Sequence, residues 1–396
     1  MRLLLVTETY PPEINGVALT VECLLENLIK AGHQVTLVRP KQDVEQHEDR
    51  STHYHCELVR GVPIPRYAGL QFGLPAGRRI GRILADEQID AVYVATEGPL
   101  GWSALRAARS RGIPAAAGFH TRFDQYLGHY GAALLNPIAL AWMRRFHNRA
   151  SCTLVPTSEL KQWLTEHGFE RVELLRRAVN AAHFHPNQRN HMLRTRLGLG
   201  ENDPLVVSVG RLAPEKNLDL LVEAFNRMKQ VAPKARMLWI GDGPARAALQ
   251  ARYPDHLFAG VLRGAALAEH FASADLFLFP SQTETFGNVT LEAMASGLSV
   301  CAFDYAAAHE HIEHGVSGML VPMAPASAFA EMAEQMMRGW IDGDRLGVAA
   351  RAAMESLSPA RLAADFAQLL STLRSDQSAV PASQENHDGT LRSTIF

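Results

Sequence analysis

The chain has 396 residues, of which 47% are hydrophobic and 20% charged, and its formal net charge is −2. This length is typical of roughly two or three domains, each large enough to bury a core of its own. The near-neutral charge argues against a nucleic-acid-binding protein, because such proteins concentrate positive charge.

Cysteine usage and hydropathy indicate a protein of the cytoplasm. Cys23, Cys56, Cys152 and Cys301 are far apart and form no C-x-x-C pair, as expected for reduced thiols. No apolar run is long enough for a membrane span, and the opening MRLLLVTETYPP reaches Glu8 too early for a signal peptide. We therefore expect a protein that is soluble or bound peripherally to a membrane.

Short apolar strand patterns alternate with amphipathic helix patterns along most of the chain. In the first half the predicted strands are Leu3–Thr7, Val35–Val38, Ala91–Ala95, Pro114–Gly118 and Thr153–Pro156, and the first helix is Val17–Ala31. In the second half the predicted strands are Val206–Val209, Met237–Ile240, Leu276–Phe279, Val300–Phe303 and Met319–Val321. This alternation predicts two doubly wound α/β domains.

Composition predicts the domain boundaries. The polar stretch Asn180–Arg194 separates a first domain, residues 1–180, from a second domain, residues 195–358. A helix with an apolar stripe is predicted at Pro359–Leu373, and the polar residues 375–396 are expected to be disordered.

Two glutamates flank a strand-to-helix turn in the second domain. Glu284 lies in the turn after the strand Leu276–Phe279, and Glu292 lies inside the helix that follows. Between them Gly287 permits close approach of a ligand, and the N–H groups that begin the helix suit a diphosphate. A carboxylate beside a phosphate site suggests a sugar or ribose hydroxyl as its partner. The alternative is a helix-capping Glu284 and a solvated Glu292.

Two cations follow another predicted strand of the same domain. Arg211 and Lys216 lie in the strand-to-helix loop after Val206–Val209. Because the carboxyl ends of parallel strands bind ligands in open sheets, both side chains could converge on a diphosphate leaving group. Solvated surface charge is the alternative.

Several motifs, in this order and spacing, resemble the retaining nucleotide-sugar glycosyltransferases of the GT-B fold. They are TETYPPEING and FHTRFDQYLGHYG in the first half, and GRLAPEKN, IGDGP, FAGVLRG and ETFGNVTLEAMASG in the second. The most similar subgroups are the GDP-mannose-dependent glycolipid α-mannosyltransferases and the sulfoquinovosyl- and glycosyl-diacylglycerol synthases. The resemblance implies two Rossmann-like domains facing each other across a cleft, the helix 359–373 crossing back to the first domain, and no cofactor besides the sugar nucleotide.

The resemblance also implies a role for each candidate residue. Arg211 and Lys216 would stabilise the departing diphosphate, while Glu284 would orient the sugar hydroxyls and Glu292 the ribose. The remaining donor-binding positions would be Gly16 at a phosphate, backbone at Phe286, Gly287 and Asn288, and Gly264 near the base. His120, which follows the strand Pro114–Gly118, would face the donor sugar.

Donor and mechanism are only partly specified. No carboxylate is obviously placed as a covalent nucleophile, so we expect same-face attack with retention. GDP-mannose is favoured, and UDP-linked glucose or glucuronate remains open because no side chain distinguishes the bases. The segment Asp304–Glu310 departs from relatives, which commonly carry paired glycines and a proline there.

Three features imitate cofactor motifs without their spacing or context. Asp342-Gly343-Asp344 is a D-x-D, but it lies in a polar turn between late helices. The histidines of HEHIEH at His309–His314 lack the spacing of a zinc-binding helix, and Gly241-Asp242-Gly243 lacks the third glycine of a dinucleotide fingerprint. We expect neither a metal nor a nicotinamide cofactor.

Basic residues interleaved with aromatic ones suggest a membrane contact in the first domain. They lie in Pro137–Arg149 and Gly77–Ile83, and they are Arg78, Arg79, Arg82, Arg144, Arg145 and Arg149, with Trp142 and Phe146. Such a face can bind an anionic bilayer, whereas the alternative is an ordinary buried helix with solvated arginines.

With the subgroup resemblance, this face favours a lipid acceptor such as diacylglycerol or phosphatidylinositol, reached at the inner face of the cell membrane. A polysaccharide, lipopolysaccharide or soluble acceptor is the alternative. A nucleotide-sugar epimerase or a non-catalytic binding protein is disfavoured, because Arg211, Lys216, Glu284 and the acceptor-side histidine segment are all present. The sequence does not indicate an oligomeric state.

Overall fold

The computed structural model describes residues 1–13, 15–42, 54–63, 71–120, 136–343 and 346–379. Its first half contains β1 (Arg2–Val6), α1 (Gly16–Lys30), β2 (Gln34–Pro40), β3 (Tyr54–Val59), β4 (Gly61–Pro63), β5 (Gln71–Gly73), α2 (Gly77–Asp86), β6 (Ala91–Val94), α3 (Pro99–Arg109), β7 (Ala115–Gly118), α4 (Asn136–His147), β8 (Cys152–Val155), α5 (Ser158–Glu166) and β9 (Val172–Leu174). Its second half contains α6 (His191–Arg196), β10 (Leu205–Val209), α7 (Leu218–Val231), β11 (Arg236–Ile240), α8 (Arg246–Arg252), β12 (Leu257–Gly260), α9 (Gly264–Ser273), β13 (Leu276–Phe279), α10 (Asn288–Ala295), β14 (Ser299–Phe303), α11 (Ala306–His311), β15 (Met319–Val321), α12 (Ser327–Ile341), α13 (Leu346–Ala353) and α14 (Pro359–Ala379).

The described strands form two large parallel sheets. The first has the order β3-β2-β1-β6-β7-β8-β9, and the second has the order β12-β11-β10-β13-β14-β15. In each sheet the strand order reverses beside the first strand, β1 or β10, and such a switch point is where open α/β sheets bind ligands. The prediction of two doubly wound α/β domains is confirmed, and the short antiparallel pair β4-β5 is an addition to it.

Each large sheet is buried on both faces, so each has two apolar cores. The cores of the first sheet pack around Leu5 and Leu37 on one face and around Val6 and Val92 on the other. The second sheet has the same arrangement. Continuous apolar runs such as LFLF in β13 are therefore buried strands, as parallel sheets require.

The last helix belongs to the core of the first sheet. Leu362, Phe366 and Leu370 of α14 pack in the same core as Val21 and Leu24 of α1. The helix extends to Ala379, so the assignment of residues 375–379 to a disordered tail was wrong. No proline or glycine interrupts the chain before Pro381, and helix propagation adds residues cheaply. Residues 380–396 lie outside the described residues.

The two chain segments that connect the domains are bonded to each other. The Val179 N–H donates to the Leu357 carbonyl at 2.9 Å. The Arg351 guanidinium donates to the carbonyls of Ala181, Phe184 and Ala295 at 2.7, 3.0 and 2.9 Å. The strands of the two sheets fall within 1–180 and 195–358, and these boundaries stay a prediction. Among the described helices, none combines the length and hydropathy of a membrane span.

Candidate active site

Two helix amino termini face each other between the domains. Gly16 begins α1 and Asn288 begins α10, and a Cβ atom placed on Gly16 would lie 4.0 Å from Asn288 Nδ2. The first N–H groups of a helix carry partial positive charge and attract anions. Partial positive charge from both domains therefore converges here, which suits an anionic group such as a diphosphate.

The amino terminus of α1 is capped by Asn15. The Asn15 side chain accepts a hydrogen bond from the Ala18 N–H at 2.8 Å and donates to Thr9 Oγ1 at 2.6 Å. A second glycine at this position would lose both contacts. Asn15 thus satisfies the helix, while Gly16 lies at the facing surface.

The two sequence motifs of the second domain meet directly. Lys216 Nζ contacts the Glu284 carboxylate and lies 3.3 Å from Ser281 Oγ. Ser281 Oγ in turn donates to Glu284 Oε1 at 2.8 Å. The Lys216 and Glu284 side chains are 21% and 16% exposed, so the pair lies in a recess that a ligand can still reach. A loop after β10 and a turn after β13 bring them together, as expected for adjacent strands.

Arg211 lies further out than Lys216. Its Nη1 is 3.6 Å from Glu215 Oε1, and its side chain is 44% exposed. The backbone beside it is tightly packed, because a Cβ on Gly241 would lie 1.9 Å from the Gly210 carbonyl oxygen. The ends of β10 and β11 thus lie too close together for a side chain, which explains why the IGDGP motif has glycine there.

The turn that carries Glu284 is held from the neighbouring strand. Gly287 has φ +90°, and a Cβ there would lie 3.3 Å from the Phe279 ring. The Ala307 N–H donates to the carbonyl of the buried Phe286 at 2.8 Å, and Tyr305 Oη donates to the Glu284 carbonyl at 2.7 Å. Residues that follow β14 therefore fix the turn.

The segment that departs from relatives keeps an unusual backbone. Ala306, in the Asp304–Glu310 segment, has φ +52° and is buried. This is the left-handed region that glycine favours. The chain therefore retains a glycine-like conformation although it carries alanine.

Two further donor-side candidates differ in environment. Burial raises the pKa of the Glu292 carboxyl on α10 to about 7. Gly264 begins α9 with φ +50°, and a Cβ on it would meet no atom within 4 Å. Glu292 is thus a protonatable group that is mostly, but not fully, removed from solvent, and Gly264 borders open space.

His120 lies at the carboxyl end of β7, but both of its ring nitrogens are engaged within the protein. Arg177 Nη2 lies 2.5 Å from Nδ1, and Tyr93 Oη lies 2.8 Å from Nε2. A guanidinium can only donate, so Nδ1 must be an acceptor and Nε2 carries the proton. Burial first, and then Arg177, hold the pKa of His120 well below its usual range. The neighbouring HTRFDQYLGHYG segment beyond His120 lies outside the described residues.

Sequence reasoning missed Arg177 and Glu8. Arg177 has a buried Nε without a hydrogen-bond partner among the described residues. The buried Glu8 carboxylate accepts the Leu100 N–H at 2.9 Å, and burial raises its pKa to about 7. The Glu8 carboxylate fills the space that a side chain on Gly98 would need. Gly98 is the residue before α3, and it has no side chain to cap the helix. A glycine-proline pair that begins a helix without a capping side chain was the available signal.

The histidines of the HEHIEH segment contact other protein side chains. Within the described part of the chain no group of three or more His, Cys, Asp or Glu could hold a metal ion. His309 Nδ1 lies 2.6 Å from Asp304 Oδ1, and the His311 ring packs edge-on against Phe286. Asp344 lies outside the described residues.

The expected membrane face needs correction at two residues. Phe146 is fully buried in the first-sheet core, and Arg79 pairs with Glu57. Phe146 packs inward because the helix face that contains it covers the sheet. Trp142, one turn earlier in α4, is 44% exposed.

Two parallel-sheet domains with a paired cation and carboxylate near facing helix termini suit the binding of a nucleotide sugar, and the comparisons with known proteins identify the chain as a glycosyltransferase. The family "Glycosyl transferases group 1" matches residues 203–338, and "Glycosyltransferase Family 4" matches residues 14–183. The chain is 35% identical to a GDP-mannose-dependent alpha-mannosyltransferase of Mycobacterium tuberculosis, over 82% of this chain and 84% of that protein. The chain belongs to this family of GT-B glycosyltransferases.

Two other proteins extend the comparison. An alpha-monoglucosyldiacylglycerol synthase of Streptococcus pneumoniae is 26% identical over 76% of this chain and 71% of its own. The solved structure of a sucrose-phosphate synthase from Thermosynechococcus elongatus has a TM-score of 0.75 at 20% identity and covers 95% of this chain and 99% of that one. The similarity to the sucrose-phosphate synthase structure confirms the fold.

Proposed function

We propose that this enzyme transfers a hexosyl group, with mannose favoured, from a nucleoside diphosphate sugar to a membrane lipid with retention at the anomeric carbon. The observation that carries the proposal is the Lys216–Glu284 pair beside the facing amino termini of α1 and α10. GDP-mannose is the first candidate donor because of the mannosyltransferase relative. UDP-glucose and UDP-glucuronate are the next candidates.

The reaction needs the diphosphate to leave with its charge stabilised. Lys216, Arg211 and the N–H groups that follow Gly287 supply fixed positive charge near the leaving group. When the donor enters, its diphosphate competes with Glu284 for Lys216, which frees the carboxylate to hold the sugar hydroxyls. Glu292 holds the ribose, and backbone at Phe286, Asn288 and Gly264 completes the donor site.

Retention follows from attack on the face that the diphosphate leaves. The acceptor oxygen forms a bond to the anomeric carbon as the bond from that carbon to the phosphate oxygen breaks, and the acceptor proton goes to the departing phosphate. The phosphate is therefore the base, so no side chain has to remove the proton. His120 is therefore not needed as a base, and the free lone pair of its ring, on Nδ1, already accepts a hydrogen bond from Arg177.

A lipid acceptor is favoured by two observations. The glycolipid synthase similarity gives a precedent in the family. The exposed Trp142 with the exposed Arg78, Arg144 and Arg145 gives the first domain a surface that suits an anionic bilayer. A saccharide or other soluble acceptor is the alternative, and it would need no such surface.

A donor screen tests the proposal. Purified protein is incubated with each common sugar nucleotide, with and without lipid extract, and nucleotide release and glycolipid are measured. We expect GDP-mannose and lipid together to give the largest rate, and EDTA to leave it unchanged. Release that never depends on lipid, or a strict requirement for added magnesium, would contradict the acceptor or the metal-free mechanism respectively.

Removal of the central cation gives the sharpest test of the site. Lys216→Ala should lower turnover by roughly two orders of magnitude, the scale of one transition-state contact. The exposed Lys229→Ala in α7 is the matched control and should keep the full rate. Turnover of Lys216→Ala equal to that of the control would remove Lys216 from the mechanism.

A further inference from the structure

A groove lies on the outer side of α3, between α2 and α4, outside the donor site. Its volume is about 840 Å³, and its lining extends from Pro99 at the start of α3 to Arg111 just beyond the helix end. A helix of this length spans roughly 16 Å. Since Pro99 follows Gly98, which packs on Glu8 at the end of β1, one end of the groove lies near the cleft and the other lies on the outside of the domain.

Two stacked tryptophans line the groove. The rings of Trp102 and Trp142 are 4.8 Å apart and 24° from parallel. The guanidinium of Arg149 lies 4.5 Å from the centre of the Trp102 ring. The half-buried Arg149 is therefore held by a cation–π contact and no salt bridge to it is found among the described residues. Its N–H groups remain available to an anion.

The groove carries uncompensated positive charge. Its lining includes the arginines 78, 106, 109, 111 and 149, and within the described lining there is no aspartate or glutamate. Arg79, next to Arg78 on α2, is by contrast paired with Glu57. In a chain whose net charge is −2, five arginines along one groove are a local concentration that attracts anions.

Apolar side chains lie next to this charge. Ile138 is 68% exposed and lies one turn before Trp142 on α4. Leu74 and Phe72 are exposed beside Pro75, which lines the groove. A free nucleotide or polyanion would use the arginines alone, whereas a phospholipid uses both features: its phosphate meets the arginines and its glycerol and acyl chains meet the apolar rim.

We propose that this groove binds the headgroup of an anionic phospholipid, with the phosphate between Arg106, Arg109 and Arg149 and the glycerol against Trp142. The site is separate from the donor cradle, and it orients the first domain on the bilayer so that the cleft lies near the surface from which the acceptor comes. This inference rests on the membrane placement proposed above.

The test uses the full chain and vesicles of phosphatidylcholine, with or without phosphatidylglycerol at a third of the lipid. Arg106→Gln with Arg109→Gln should weaken binding to the phosphatidylglycerol vesicles by roughly 30-fold, because each surface arginine contributes about fivefold. The matched control, Arg252→Gln with Arg338→Gln on the second domain, should bind within twofold of the unmodified protein. Trp142→Ser should also weaken binding, and it should do so at high salt as well.

Each outcome supports or overturns the inference. Equal binding by the groove variant and its control overturns it. Displacement of the vesicles by millimolar inorganic phosphate means a site for a free anion and also overturns it. Lys216→Ala separates the two proposals: it should bind vesicles normally while losing transfer, and the groove variant should retain nucleotide release when the lipid acceptor is presented in detergent micelles. Loss of vesicle binding by the groove variant with intact micellar turnover supports the groove.

Discussion

The tautomer of His120 is fixed by its partners. Because Arg177 donates to Nδ1, the Nε2 atom must carry the proton that it shares with Tyr93 Oη. A positively charged ring would place a second cation against Arg177 in a buried site, which burial and repulsion both oppose. The histidine is thus a fixed, neutral donor and cannot serve as a general base.

We predict that His120 stays neutral at the pH values around 6.5 where an ordinary histidine titrates. Long-range proton–nitrogen NMR of the imidazole should show Nδ1 unprotonated throughout this range. Arg177→Met removes the repulsive charge, so the pKa of His120 should rise toward its usual value near 6.5. Titration of His120 between pH 6 and 7 in the unmodified protein would contradict this assignment, and equal pKa values with and without Arg177 would show that burial alone is responsible.

Burial of the Glu292 carboxyl lowers the stability of the ligand-free enzyme at neutral pH. Its pKa in the folded protein is about 7, above the ordinary value of 4.5, so the folded state holds the proton longer than the unfolded state does. Stability of the ligand-free enzyme should therefore fall as pH rises from about 4.5 to about 7. Glu8 acts in the same direction, with a pKa also near 7.

Glu292→Gln should stabilise the ligand-free enzyme at pH 8 and weaken nucleotide binding. The upper limit of the gain in the free energy of unfolding is about 3 kcal/mol, and partial exposure of the side chain reduces it. Under the role proposed for Glu292, the substitution also removes a charged hydrogen bond to the ribose and should raise KM for the sugar nucleotide roughly tenfold. Urea denaturation and initial rates measure the two effects. The exposed Glu223→Gln should change neither, and a Glu292→Gln protein less stable at pH 8 would refute the assignment.

At the level of elements, the turn after β14 carries local strain. Ala306 begins α11 with φ +52°, a conformation that costs an alanine about 1 kcal/mol or more. Hydrogen bonds on both sides hold it there: the Ala307 N–H donates to the Phe286 carbonyl, and Tyr305 Oη donates to the Glu284 carbonyl. The turn that contains Glu284 and Phe286 thus keeps Ala306 in its strained conformation.

Ala306→Gly should raise the free energy of unfolding by about 0.5–1 kcal/mol, because glycine relieves the left-handed geometry. Ala307→Gly, one residue further and equally buried, should lower it by a similar amount because its backbone is helical. Thermal and urea unfolding measure both. If the two substitutions destabilise equally, Ala306 is not strained.

The sequence predicted most of the strands, but fewer of the contacts between them. All ten predicted strands occur in the structure with ends within two residues, because buried parallel strands are continuous apolar runs. The outer strands β3, β9 and β12 of the two large sheets were not predicted. In β3 the residues Tyr54, His55 and Glu57 interrupt the apolar pattern. The sequence predicted that Lys216 and Glu284 each follow the carboxyl end of a strand, but their contact depends on β10 and β13 being neighbours, which only the structure shows. The Arg177–His120 contact joins a connecting segment to a strand end, and no periodicity predicts such a contact.

At the level of the whole molecule, the first domain is completed by the end of the chain. The α14 helix contributes Leu362, Phe366 and Leu370 to the core built on α1, and the Phe366 ring lies 5.1 Å from Tyr93. Tyr93 also contacts His120. The last helix thus supports the surroundings of His120, although more than two hundred residues separate it from β7.

Phe366→Ala should therefore destabilise the first domain selectively. The cavity should cost about 3–5 kcal/mol, and native-state hydrogen exchange should quicken in α1 and β6 while α7 and β14 stay protected. Phe329→Ala is the matched control, because Phe329 is equally buried but packs on Phe303 in the second domain. It should quicken exchange in α7 and β14 and leave α1 unchanged. If Phe366→Ala leaves the protection of α1 as it was, the last helix does not carry the first domain, and its packing on α1 contributes little to stability.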